Sequence, residues 1–263
     1  MGKPLKTIYP PVLLAAVILL LWEGGVRLAH LETWILPAPS EILRALWVNR
    51  SLMVQHMKPT LLETLAGLAA GTAAAIVLAC VIQLSDWLRR ALYPLLVGTQ
   101  TVPIVAVAPL FIIWFGYGFF PKLLVVMLVT FFPVTVSLVE GLSSADADLV
   151  RLLRSIGAGK WRIFRTVRFP HALPYLFSGL KIAATYSVLG AVVAEWLGAS
   201  NGLGVYLIRA QNAFAADEVF AVIVVITFYS VFLFVAVQVA ARLIAPWAYR
   251  REREDEQAKG EMK

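Results

Sequence analysis

The chain has 263 residues, of which 60% are hydrophobic and 15% charged, with a formal net charge of +7. Its mean hydropathy is +0.79. A soluble chain of this length has no use for repeated apolar runs of about 20 residues, the length that matches a bilayer core. The composition therefore excludes an ordinary soluble domain and indicates an all-α protein that crosses a membrane several times. The single cysteine, Cys80, excludes an internal disulfide and reads as a small buried hydrophobe within an apolar run. His30, His56 and His171 are scattered, without metal-ligand spacing.

Six spans follow in chain order: Tyr9–Leu28, Thr60–Leu84, Ala91–Phe115, Pro121–Leu142, Pro174–Leu197 and Val219–Ala245. The first follows Lys3 and Lys6 but runs on into Trp22-Glu23 without a small-residue cleavage pattern, so it reads as a retained span. Residues 1–8 then form a short amino-terminal segment, 9–249 the membrane domain and 250–263 a charged, solvated tail (RREREDEQAKGEMK). With both termini in the cytoplasm, the inner segments carry sixteen Lys and Arg residues against six outside. That bias sets the orientation and places the basic segment between spans four and five in the cytoplasm. The positive charge thus fits topology and a lipid surface, and no nucleic-acid partner is expected. Between the first two spans, PAPSEILRALW suggests a short outer helix with Ser40 as its cap and Glu41 in its first turn.

Small residues recur at helical spacing in span two (Gly67, Gly71, Ala75, Ala79). They recur again in span five, as Gly190, Ala194 and Gly198 beside Ala183, Ser187 and Ala191. Such stripes let helices approach closely, in a compact bundle or at a dimer seam. Span three carries Pro94, Pro103 and Pro109 around Thr99-Gln100-Thr101, the pattern of a kinked helix lining a pathway or buried in a bundle. Glu23, Glu63, Glu140 and Glu195 fall near span ends, within reach of headgroups or water, leaving no midplane acid for a proton- or sodium-driven carrier.

The segment Asp148–Pro174 (DLVRLLRSIGAGKWRIFRTVRFPHALP) is the most distinctive stretch. Leu149, Leu152, Leu153 and Ile156 form one apolar face, with Arg151, Arg154 and Ser155 away from it. Gly157-Ala158-Gly159 permits a sharp turn. A second helix bearing Trp161, Ile163, Phe164 and Val167 then stops near Pro170. Two short helices joined at a glycine form a knob that can seat in a partner's groove. Gly157-Ala158-Gly159-Lys160 is not a phosphate loop, because Arg154 and Trp161 occupy required Gly and Ser/Thr positions. The chain thus offers no nucleotide site of its own, no metal site and no catalytic set.

Gly157, nine residues, Val167, one residue and Phe169-Pro170 resemble the cytoplasmic signature of permease subunits of binding-protein-dependent ABC importers. The family pattern is Glu-Ala-Ala, three residues, Gly, nine residues, Ile, any residue, Leu-Pro. Arg151, Leu152 and Leu153 stand at the Glu-Ala-Ala positions, so the acidic contact is lost or reversed in charge. Further stretches are similar to the nitrate/sulfonate/taurine-type branch: Gln100–Gly118, Thr130–Leu142, Ser178–Ser200 and Asn201–Gly204. Within that branch the chain looks closest to permeases for thiamine-pyrimidine precursors such as hydroxymethylpyrimidine, with riboflavin-type importers nearby.

The resemblance implies a type I importer permease in the bacterial inner membrane, paired with a second and identical permease copy. An ATPase subunit would bind ATP and magnesium, and an extracytoplasmic binding protein would deliver the solute. Residues 143–173 would be the coupling loop. Its ATPase-coupling residues would be Arg151, Leu152, Leu153, Arg154, Gly157, Ala158, Trp161, Phe164 and Pro170. Gln100, Thr101, Trp114, Phe131, Phe132 and Tyr186 are the candidates for the solute path, their amide, hydroxyl and aromatic groups suiting a planar polar heterocycle. The competing classes are a secondary transporter or channel working without ATP and a membrane-embedded enzyme. The first lacks its midplane acid and the second its clustered catalytic groups.

Overall fold

The computed structural model describes residues 3–83 and 85–248, so the end of the second predicted span at Leu84 and the charged tail 250–263 lie outside the described residues. The described residues form helices α1 (Lys3–Leu28), α2 (Pro39–Val48), α3 (Arg50–Ile82), α4 (Asp86–Thr99), α5 (Ile104–Phe115) and α6 (Phe119–Ser143). These are followed by α7 (Ala147–Ser155), α8 (Lys160–Ile163), a π-turn (Phe164–Arg168), α9 (Phe169–Trp196), α10 (Leu203–Asn212) and α11 (Ala216–Ile244). Five helical stretches are long and apolar enough to cross a membrane, and α4 with α5 make a sixth if the bent pair is one span.

Two predicted helices differ from what the sequence suggested. The third span is not one kinked helix, because α4 and α5 meet at 97°. Pro103 has no N–H and disfavours helical backbone at Val102, so the chain turns there, whereas Pro94 and Pro109 sit inside helices. The second helix of the basic segment does not stop at Pro170. Lys160–Trp196 is one continuous helical stretch of 37 residues. Pro170 would clash with the carbonyl four residues back in an α-helix. The turn before it is widened instead, with the Phe169 N–H donating to the Phe164 carbonyl.

The chain packs as two units. One comprises Met1–Pro59 and Ser200–Thr227. Its core is Ile42, Ala45, Met53, Leu203, Tyr206, Ala221 and Val222. α2 forms as predicted, but its cap is Ala38. Ser40 is drawn to α1, where its N–H and hydroxyl donate to the Glu23 carboxylate at 3.0 and 2.8 Å. Glu41 instead reaches back to accept the Ala38 N–H at 2.8 Å. The Tyr206 hydroxyl donates to Glu218 at 2.7 Å. Burial first, and then that carboxylate, push the Tyr206 phenol well above its ordinary range.

The other unit comprises Thr60–Ala199 and Phe228–Lys263. Here α6 packs along α9, and the small-residue stripe of α3 lies against α6. A Cβ at Gly67 would collide with Val126, and one at Gly71 with Thr130 and the Met127 carbonyl. Gly179 sits 2.7 Å, by its virtual Cβ, from the Pro133 carbonyl. Gly190 lies against Val129. The stripes therefore serve close helix contacts within this chain. Ala79, Ile82, Leu96, Leu138, Val139, Leu142 and Ala172 form the larger core at one end, and Ala108, Val125 and Ala194 a smaller one. Cys80 is half-buried on α3.

Candidate functional site

The segment from Ser143 to Leu173 presents a built surface. Asp146 caps α7, accepting the backbone N–H groups of Asp148 and Leu149 at 2.8 and 3.3 Å. At the other end Gly157 adopts φ +81°. The Ala158 N–H reaches the Leu153 carbonyl at 2.9 Å and the Gly157 N–H the Arg154 carbonyl at 3.0 Å. That pairing closes the helix and turns the chain toward α8. The apolar face divides differently from the expectation. Val150 is buried and Leu153 half-buried, while Leu149, Leu152 and Ile156 are exposed. α7 spends its other edge on packing and leaves this one open.

Trp161 is 72% exposed and stacks on Phe164 at 5.7 Å. Phe164 in turn packs against the larger core. Arg151 and Arg154 are exposed, and among the described residues Arg151 pairs with Asp148, at 3.5 Å between two exposed groups. Such a pair contributes little and leaves the guanidinium available. Ala158 and Pro170 are half-buried. The open face thus combines Leu149, Leu152 and Ile156 with Trp161 and the exposed guanidinium groups of Arg151 and Arg154.

A cavity of about 570 Å³ opens at the α4–α5 break. Thr99, Gln100, Val102, Pro103 and Ile104 line it from the break, Leu128, Val129, Phe132 and Pro133 from α6, and Tyr186 from α9. Gln100, Phe132 and Tyr186 are thereby brought together. The other three candidates stand elsewhere. The Thr101 hydroxyl donates to the Gly98 carbonyl at 2.7 Å. Trp114 is exposed, edge-on to Phe111. Phe131 packs on the larger core beside Phe132. The lining is mostly apolar with an amide and a phenol, the usual make-up of a small-molecule site.

The same unit holds a charged cluster that the sequence reading placed wrongly. Glu63 and Glu195, expected to reach headgroups or water, are 2% and 1% exposed. Lys122 of α6 forms an ion pair with Glu63 of α3. The Thr60 hydroxyl donates to Glu195 of α9 at 2.6 Å. Buried charges persist only when paired and hydrogen-bonded, so the cluster ties α3, α6 and α9 together. The signal was present in the sequence. Glu63 stands four residues before Gly67, and Glu195 four after Ala191, so both lie on small-residue packing stripes. By contrast Glu140 is exposed, accepting the Tyr93 hydroxyl at 3.2 Å.

Residues 67–249 match the family described as the binding-protein-dependent transport system inner membrane component. The chain belongs to this family. It is therefore the permease subunit of an ABC importer, a multi-pass inner-membrane protein. It has no catalytic activity of its own and works with an ATPase and an extracytoplasmic binding protein.

Over 238 residues this permease is 35% identical to the formylaminopyrimidine transport permease protein ThiX of Halalkalibacterium halodurans, covering 90% of this chain and 95% of that one. It is 33% identical to the riboflavin transport system permease protein RibX of Chloroflexus aurantiacus, over 88% of this chain and 87% of that one. Identity to the taurine transport system permease protein TauC of Escherichia coli is 30%, again over 88% and 87%. Among solved structures, an amino acid ABC transporter with histidines matches with a TM-score of 0.59 at 15% identity, covering 76% of this chain and 96% of that one. That likeness bears on the fold alone. It supports the permease's all-α architecture, whereas the branch expected from its motifs is supported by the sequence relatives.

Proposed function

We propose that this permease imports a pyrimidine precursor of thiamine. The reading rests first on the 35% identity to a formylaminopyrimidine permease across nearly the whole of both chains. The cavity at the α4–α5 break supports it. Gln100 offers an amide to a ring's polar edge, Tyr186 a hydroxyl, and Phe132 an aromatic face.

The working assembly is a homodimer of this chain in the lipid bilayer, with both termini in the cytoplasm. ATP and magnesium are bound by the partner ATPase alone. The open face of α7, with Arg151, Leu152, Arg154, Gly157 and Trp161, meets that ATPase. Arg151 there faces an acidic group in place of the family's usual charge.

The test is uptake into vesicles that contain the permease, its ATPase and its binding protein. Formylaminopyrimidine should accumulate only with ATP inside, and neither riboflavin nor taurine should compete at equal concentration. Competition by riboflavin or taurine in place of the pyrimidine would move the substrate to that part of the branch. Accumulation without ATP would overturn the importer reading in favour of a carrier or channel.

A further inference from the structure

We infer that Gln83 is a positioning residue for energy coupling, joining the ATPase-facing segment to two spans at once. This rests on the reading of α7 and α8 as the ATPase-docking segment. The π-turn Phe164–Arg168 is the joint through which α8 continues into α9, and it is the one place in that helical stretch where the bonding register is widened. π-turns of this kind are weak points, since returning to the α register changes the rotation of everything that precedes them. A displacement imposed on α7 and α8 would be absorbed there unless the turn were tied to its neighbours.

Two ties are present. Phe164 packs on the core that contains Ile82, Leu138 and Leu142. A polar chain runs beside it. Arg168, the last residue of the π-turn, donates from Nη1 to Gln83 Oε1 at 3.3 Å. Gln83 Nε2 donates to Ser143 Oγ at 2.9 Å. Ser143 Oγ donates to the Val139 carbonyl at 2.7 Å.

Gln83 directly follows α3, and Ser143 is the last residue of α6. One amide, using its acceptor toward the π-turn and its donor toward α6, therefore locks three elements in register. All three participants are half-buried, which shields the charge-assisted bond from water. A carboxamide suits the position because it offers both an acceptor and a donor on one short, planar group.

The experiment uses the complete complex of permease, ATPase and binding protein in vesicles, reading ATP hydrolysed per solute imported. Gln83→Ala should raise that ratio at least about fivefold, the population change set by one lost charge-assisted hydrogen bond. Gln83→Glu keeps an acceptor for Arg168 but loses the donor to Ser143, so its ratio should fall between those of wild type and Gln83→Ala. Arg168→Met, which keeps the stem and removes the donor, should uncouple as Gln83→Ala does.

A purely structural role would lower the amount of assembled complex and leave the ratio unchanged. An unchanged ratio in either Gln83→Ala or Arg168→Met overturns the inference, as does a Gln83→Glu variant no better than alanine. If wild-type hydrolysis itself is not stimulated by solute-loaded binding protein, the docking reading fails first and this inference with it.

Discussion

Gly157 has nothing within 4 Å of the position a Cβ would take, so its requirement is conformational and not steric. Its φ of +81° costs an ordinary side chain about 1–2 kcal/mol, less for asparagine, which tolerates that region. Gly157→Leu should therefore insert and assemble normally yet hydrolyse ATP without import, while Gly157→Asn keeps most of the transport. Normal uptake by the leucine variant would show that the turn geometry is immaterial. Lys122 makes the opposite case, because its role is electrostatic. Removing it leaves the buried Glu63 carboxylate without its cation, a change that costs about 3–5 kcal/mol when a buried pair is broken. Lys122→Met should lower the melting temperature in detergent, and adding Glu63→Gln should recover most of the loss. Equal melting of Lys122→Met and wild type would mean the cluster is wetter than its burial indicates. The turn glycine was legible in the sequence from its neighbours. The cluster is harder to read, because Glu63 and Glu195 stand both near span ends and on packing stripes, and tertiary packing decides which of the two environments wins.

At the scale of elements, the number of spans followed from apolar length alone, and five of the six predicted stretches correspond to long helices. What the pattern left open was how prolines act. Pro103 ends α4's direction and starts α5 at 97°, Pro170 is absorbed by a π-turn, and Pro94, Pro109 and Pro133 sit within helices. The same missing N–H gives three outcomes, because tertiary packing decides whether the freed carbonyl is bridged, widened around or turned out. The small-residue stripes were more informative. Gly67 and Gly71 are contact points with α6, whereas Gly24 of α1 has nothing within 4 Å. Gly71→Val should accordingly destabilise by about 1–3 kcal/mol or more through overpacking against Thr130 and the Met127 carbonyl. Gly24→Ala should be neutral or stabilise by up to about 1 kcal/mol through helix propensity. Thermal unfolding of both variants in one detergent checks the contrast, and a stable Gly71→Val would mean α3 and α6 can separate without cost.

For the molecule as a whole, family and architecture were readable because both rest on long-range regularities: apolar spans, a charge bias and a spaced motif. The solute was not. A permease cavity is mostly apolar with a few polar groups, and Gln100, Phe132 and Tyr186 would suit more than one planar ligand. Relatives at 35%, 33% and 30% identity accordingly carry names with three different solutes. Orientation is a separate matter that one experiment decides. Sixteen basic residues against six favour the side bearing the segment 143–173 as the cytoplasmic one. In a Cys80→Ala background, Ser155→Cys on the exposed end of α7 should resist a membrane-impermeant maleimide in intact cells and react in inverted vesicles. Bound ATPase should then protect it. Asn201→Cys, exposed before α10, should show the reverse sidedness. Labelling of Ser155→Cys from outside would invert the topology and remove the ATPase from the exposed face of α7.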